Sequence, residues 1–390
     1  MRVKVYYNFL NIRMNRKQFI SIAGMAGISS VFTGLSKVKA NRSNINTNTK
    51  LPEIRFKKIR LDLWHDWTIT RGTANYKDNV FVFYEKDGIT GIGEAGHMTA
   101  AGQNADRTIQ ELKKLIPLYK EIYPFEFFEL PEKANKLVNG PAPAKAALDI
   151  ALMDWIGKKI GIPLYQFFGL SPNKTIKISF SIGRDKPEIM RKKVLEAAPY
   201  HILKVKLTNK NDEEVIKTIR SVTNKPIRVD INEGWKNKEE AARKIEWMAT
   251  HGIEMIEQPM PSEMLAETAW LKERSELPII ADEAVNVSKD IPKLAQSYDG
   301  INIKLMKSGG LIDAYRMAIL ARTLGLDIMI GCMIESSVAI SAAVQLQPLA
   351  RWLDLDGNLL ISNDPFKGAI FEDGHWIMPD GNGIGVEKND

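Results

Sequence analysis

ILKVKL at Ile202–Leu207, PIRVDI at Pro226–Ile231 and GIEMIE at Gly252–Glu257 are three short apolar runs, each carrying charge at its carboxyl end. The pattern continues outward in both directions. IKISFSI begins at Ile176, PIIA at Pro278, GINIK at Gly300, DIMIG at Asp327 and WLDL at Trp352, and the eight starts lie 22 to 27 residues apart. Each gap has room for one helix, whereas a hairpin turn needs only a few residues, so the spacing predicts parallel strands joined by helices. Eight such units predict a closed barrel in the α/β class, of the TIM (β/α)8 type. The carboxyl ends of barrel strands share one face, so Lys204 and Lys206, Asp230, Glu257, Asp282, Lys304, Glu335, and Asp354 with Asp356 should converge on a single mouth. One charge at a strand end can simply mark the return to solvent. Two lysine stations around three carboxylates, in this order, read as an active site.

A barrel of about 250 residues or fewer leaves over a hundred of the 390 to be explained, so a second domain is expected. Arg2, Lys4, Arg13, Arg16 and Lys17 precede an apolar stretch from Phe19 to Leu35, with Val38-Lys39-Ala40 behind it, which is the anatomy of an export signal cleaved after Ala40. The segment Asn15 to Ile20 resembles a twin-arginine signal, with Lys17 in the place of the second arginine, and Met14 would serve as an alternative start. The apolar stretch is short and interrupted by Gly24, Gly27 and Gly34, so no stable membrane anchor is expected after processing, and the mature chain is expected in the periplasm. Residues 41–50, NRSNINTNTK, have the composition of a linker.

Residues 51–170 read as an α+β capping domain. IRFKKIRLDLW from Ile54 and NVFVFYEKDGITGIGEAG from Asn79 alternate as antiparallel strands, with Asp87-Gly88 placed for a hairpin turn. Helical spacing follows at about 104–118 and 144–159. The barrel is then expected over 171–356. The tail, 357–390, contains strand-like GAIF and HWIM and is expected to return to the amino-terminal sheet.

The formal charge of +7 hints at nucleic-acid binding until it is partitioned. The first forty residues hold seven Lys or Arg and no acid, which leaves 47 basic and 47 acidic residues in the remainder. That balance removes the argument for a nucleic-acid partner. Cys332 is the only cysteine, so an internal disulfide is excluded. Homo-oligomerisation is left open.

Asp230, Glu257 and Asp282 would end three successive strands, and three hard oxygen ligands without His or Cys suit Mg²⁺ better than Zn²⁺. Such a cation stabilises the negative charge that develops when a proton leaves the α-carbon of a carboxylate. Lys204, two residues before Lys206 on the same strand face, would supply a like charge that lowers the pKa of Lys206. Lys307 lies three residues beyond Lys304, an odd spacing that would turn it to the other face. Asp354 and Asp356 point the same way and could hold an ammonium group.

An α+β domain built from both chain ends on a barrel, with Lys204-Val205-Lys206, VDINEGW at Val229–Trp235, IEQP at Ile256–Pro259, ADE at Ala281–Glu283 and NIKLMKSGG at Asn302–Gly310, resembles the muconate-lactonizing branch of the enolase superfamily. GCMIES at Gly331–Ser336 and LDLDG at Leu353–Gly357 resemble the dipeptide epimerases, whose type member inverts the glutamate centre of Ala-Glu. The resemblance implies Lys206 and Lys304 as acid and base on opposite sides of the α-carbon. It places Mg²⁺ on the three acids, the amino terminus of a dipeptide on Asp354 and Asp356, and substrate contacts at Ser179, Cys332 and Ile334. Arg71, in TITRGTANY between two predicted strands, is the candidate clamp for a glutamate side chain, and His97 a candidate wall of the pocket.

Three rivals are separable. An acid-sugar dehydratase would place a catalytic histidine near the later strand ends, where this chain has none. An N-acylamino-acid racemase or a succinylbenzoate synthase uses two lysines, but its substrate has no free ammonium for Asp354 and Asp356. An exported peptide-binding protein has no use for opposed lysines.

Overall fold

The computed structural model describes residues 50–69, 72–98, 102–208 and 210–389. The expected export signal and nearly all of the expected linker lie outside the described residues.

β1 (Glu53–Ile69), β2 (Gly72–Lys86) and β3 (Ile89–Ala95) form an antiparallel sheet in that order. The β2-β3 turn falls on Asp87 and Gly88, both with positive φ (53° and 75°), the backbone that a tight two-residue hairpin demands. Within TITRGTANY, Thr68 and Ile69 belong to β1 and Gly72 to Tyr76 to β2, not to the open loop that the polar composition suggests. The two strands pair to the tip, with Ile69 opposite Gly72, after a register shift between Asp62 and Trp67.

The helix Ala105–Glu121 is capped by Asn104, whose side chain accepts from the Arg107 amide. The helix Pro143–Ile160 is mostly apolar and is buried without a break from Pro143 to Gly157, with Lys145, Asp149 and Asp154 enclosed among the apolar residues. It lies directly on the backbone of β3, because Gly91 and Gly93 have no side chain. A Cβ on either would stand 2.0 Å from the carbonyl oxygen of Ala151 or Ala147.

Eight parallel strands follow: β4 (Ser179–Ile182), β5 (Ile202–Lys206), β6 (Ile227–Asp230), β7 (Ile253–Glu257), β8 (Ile279–Ala281), β9 (Gly300–Lys304), β10 (Asp327–Gly331) and β11 (Trp352–Asp354). They neighbour one another in sequence order, and a bridge between Ile178 and Leu353 joins the last strand to the first. All eight expected strands are present, and the ring is the expected barrel. Apolar residues line both faces, which is why their runs are nearly continuous rather than alternating.

The tail only partly follows expectation. Ile361 bridges to Leu63, and Phe366 stacks on Phe81 of β2 at 5.3 Å, so the chain does return to the first sheet. β12 (Phe366–Lys367) pairs with β15 (Glu387–Lys388), whereas β13 (Ile370–Glu372) and β14 (His375–Ile377) form their own hairpin. That hairpin packs at the amino-terminal end of β4, where His375 bridges to Lys177 and the Trp376 indole donates to the Leu355 carbonyl. Leu51–Asp390 is one compact unit.

Candidate active site

In-register pairing of parallel strands puts Lys206, Asp230 and Glu257 side by side, as it does Lys304, Gly331 and Asp354. Gly331 is required there, since a Cβ would stand 2.6 Å from the Asn302 side-chain oxygen. A cavity of about 380 Å³ opens over these strand ends, and its lining includes Lys204, Lys206, Asp282, Lys304, Asp354 and Asp356.

Oxygens of Asp230, Glu257 and Asp282 lie within 4.8 Å of one another, and all three residues are buried. Glu257 Oε1 accepts from Asn302 Nδ2 at 2.8 Å. Its Oε2 has an ion contact with Lys204 Nζ at 2.6 Å that lacks hydrogen-bond geometry, which leaves a buried carboxylate oxygen without a hydrogen bond. Three carboxylates with one orphaned oxygen suit a hard divalent cation such as Mg²⁺.

The electrostatics follow from this crowding. Burial, reinforced by Asp230, raises the Glu257 carboxyl to about 7. Burial acts on Asp282 in the same direction, but Lys304, Lys307 and Lys204 outweigh it and hold that carboxyl well below its usual range. Lys304 is buried too, yet Asp282 and Glu257 keep its ammonium above its ordinary value.

Lys206 Nζ lies 2.5 Å from Asp230 Oδ2, and Lys304 Nζ 2.8 Å from Asp282 Oδ2. Lys204 is fully enclosed, with Glu257 and Asp354 at 2.6 Å and Asp230 at 3.4 Å. This differs from the like-charge expectation. An ammonium matched by three carboxylates projects little net positive charge onto Lys206.

Lys307 also departs from expectation, because the strand stops at Lys304 and one helical turn, Leu305–Ser308, follows. Strand alternation no longer applies, and Lys307 Nζ returns to the mouth to donate to Asp282 Oδ1 and the Asp282 carbonyl, both at 2.6 Å.

Asp354 accepts from Lys204 and from the Ser179 hydroxyl, and Asp356 from the Ser181 amide. Ser179, expected to touch substrate, is buried beneath Asp354 and does not line the cavity. β4 begins at Ser179, so that residue sits at the strand's start; Ser181, further along, reaches the mouth. Cys332, Ile334 and His97 line the cavity. Burial, with Asp356 and Glu335 nearby, pushes the Cys332 thiol well up. Glu335 is enclosed outside the cavity lining and accepts from the Met333 amide. Arg71 lies outside the described residues.

Three groups in the wall went unnoticed as site residues. Glu283 sits inside the ADE motif, and burial together with Asp282 raises it to about 7. Its partner Asn232, at 3.0 Å, lies inside VDINEGW, so motif membership was the available signal for both. Lys77 of β2 also lines the cavity, and no motif marks it.

Residues 189–390 match the Enolase C-terminal domain-like family, and 58–169 match the Mandelate racemase / muconate lactonizing enzyme N-terminal domain. The chain belongs to the enolase superfamily. Within the superfamily, it is 41% identical over 384 residues to the L-Ala-D/L-Glu epimerase of Bacteroides thetaiotaomicron, covering 96% of this chain and 99% of the relative. The substrate-liganded L-Ala-D/L-Glu epimerase of Bacillus subtilis has a TM-score of 0.80 at 29% identity, with 86% of this chain and 98% of that one covered. A dipeptide epimerase from Enterococcus faecalis, complexed with Mg and L-Leu-L-Tyr, has a TM-score of 0.78 at 28% identity, covering 87% and 99%.

Proposed function

We propose that this chain is a Mg²⁺-dependent dipeptide epimerase that inverts the α-carbon of the carboxyl-terminal residue, acting on Ala-Glu or a related cell-wall dipeptide. One observation carries the proposal: Lys206 ends β5 and Lys304 ends β9, four strands apart in either direction around a ring of eight. The lysines therefore face each other across the mouth. Asp230 and Glu257 end two strands of the arc between them, and Asp282 directly follows the third.

Asp230, Glu257 and Asp282 would hold Mg²⁺, whose charge offsets the negative charge that grows on the substrate carboxylate as the α-hydrogen leaves. One lysine removes that hydrogen and the opposed lysine delivers another from the far side, which inverts the centre. Asp354 and Asp356 receive the free ammonium of the dipeptide and fix the α-carbon between the two amines. An acylated amino acid offers nothing to that acid pair, so the geometry favours a dipeptide over an N-acylated substrate.

The test is Ala-Glu with Mg²⁺ in D₂O, followed by proton NMR. Loss of the glutamyl α-proton signal and appearance of the second diastereomer are expected, and both should stop on chelation. Ligand binding without exchange would make the chain a binding protein instead. The basic, apolar and small-residue order of the first forty residues supports export to the periplasm, which fractionation of cells expressing the full chain would check.

A further inference from the structure

Four lysines ring the floor of the cavity, and each has a carboxylate partner: Lys204, Lys206, Lys304 and Lys307. The fifth lysine of the cavity, Lys77, comes from the cap. Among the described residues its ammonium makes no hydrogen bond or ion pair. Its neighbour Asp78 lies 3.8 Å from Arg60.

The position of Lys77 over the mouth follows from strand geometry. Lys77 and Asn79 are two apart on β2 and share a face. Asn79 Nδ2 donates at 3.1 Å to the carbonyl of Ile334, a barrel residue of the mouth, so that face of β2 overhangs the site. His97 lines the cavity too, and its amide donates to Asn79 Oδ1. Burial, then the charge of Lys77, lowers the His97 imidazole, which leaves it neutral near pH 7 and able to donate one hydrogen bond.

A half-buried ammonium without an anion is costly, and burial alone lowers its pKa. The proposed chemistry assigns the substrate α-carboxylate to the floor and the ammonium to Asp354 and Asp356. Of the parts of Ala-Glu that remain, only the side chain of the residue being inverted carries a negative charge to offer the overhanging cap.

We infer that Lys77, with His97 beside it, binds the side-chain carboxylate of an acidic second residue and makes the enzyme selective for such dipeptides. This rests on the proposed epimerase function, and it assigns a specificity residue distinct from Arg71.

The experiment compares kcat/KM for Ala-Glu and Ala-Met in wild type, Lys77→Met and Lys77→Arg, with circular dichroism verifying the fold of each. Wild type should prefer Ala-Glu. Lys77→Met should reduce the Ala-Glu to Ala-Met ratio by roughly 10- to 100-fold, the scale of a hydrogen bond to a charged group, mainly through KM for Ala-Glu. Lys77→Arg should restore much of the ratio. Equal losses on both substrates, an unchanged ratio, or a wild type without acidic preference would overturn the inference alone. A wild type that exchanges the α-proton of no dipeptide would overturn the proposed function, and the inference with it.

Discussion

Replacing either opposed lysine should separate proton exchange from inversion. Lys206 and Lys304 project from strands half a turn apart, so each can address only one side of an α-carbon held between them. Methionine keeps most of the side-chain volume while removing the amine. The carboxylates do not lose all their cations: Asp282 keeps Lys307 at 2.6 Å, and Asp230 keeps Lys204 at 3.4 Å. Loss of one positioned acid or base typically costs about 10²- to 10⁴-fold, or roughly 3 to 5 kcal/mol of barrier. Epimerisation by Lys206→Met and by Lys304→Met should fall by at least that much. In D₂O each variant should still exchange the α-hydrogen of one diastereomer with retention, because the surviving lysine can remove a proton and return a deuteron on its own side. The two variants should label opposite diastereomers, read by proton NMR of purified Ala-L-Glu and Ala-D-Glu. The reasoning is refuted if either variant epimerises at more than about a tenth of the wild-type rate, or if both label the same diastereomer.

Asp354→Asn and Asp356→Asn should each raise KM for Ala-Glu by roughly 10- to 100-fold, while N-acetyl-Ala-Glu, which has no ammonium, should respond much less; equal responses would remove the acid pair from amine binding. Burial and then Glu94 raise Glu335 from its ordinary 4.5 to about 8, so the folded state keeps a proton that the unfolded chain has lost. Stability should therefore decline as pH rises from 4.5 towards 8, by up to about 1.4 kcal/mol per unit from this group. Glu335→Gln should melt above wild type by a margin that widens over that window, and a margin independent of pH would count against it. Gly93→Ala drives a methyl against the Ala147 carbonyl and should cost about 1 to 3 kcal/mol or more in a urea titration.

The barrel was legible because its strands are buried on both faces, so their apolar runs are nearly continuous and separated by intervals too long for hairpins. The metal acids and the lysines were legible for a related reason: each ends such a run, and parallel register brings run ends together. Reasoning by alternation failed where the backbone left the strand. Lys307 follows Lys304 by three residues, but one turn of helix restores it to the mouth. Ser179 failed through a boundary. IKISFSI reads as a strand from Ile176, yet β4 begins only at Ser179, so the residue that emerges is Ser181. Lys77 was invisible for another reason, since its role depends on a cap strand crossing a barrel mouth more than a hundred residues away in sequence.

One buried carboxylate gathers several of the bonds that hold cap and barrel in one alignment. Glu94, next to last in β3, accepts from the Ser336 amide and hydroxyl and the Ala339 amide, at the start of the barrel helix Ser337–Val344. It also accepts from Asn79 Nδ2, at 2.8 Å, and Asn79 in turn donates to the Ile334 carbonyl. An acid at a helix amino terminus is stabilised by the exposed amides there, and this one is fully buried, so displacement would strand several donors away from water. These five bonds fix the face of β2 that carries Lys77 over the segment that carries Cys332 and Ile334. Chemistry can thus stay on the barrel while selectivity changes on the cap. A substitution at Lys77 alters which side chain is welcomed without moving Lys206, Lys304 or the three acids, because the junction between the two layers does not depend on the substrate.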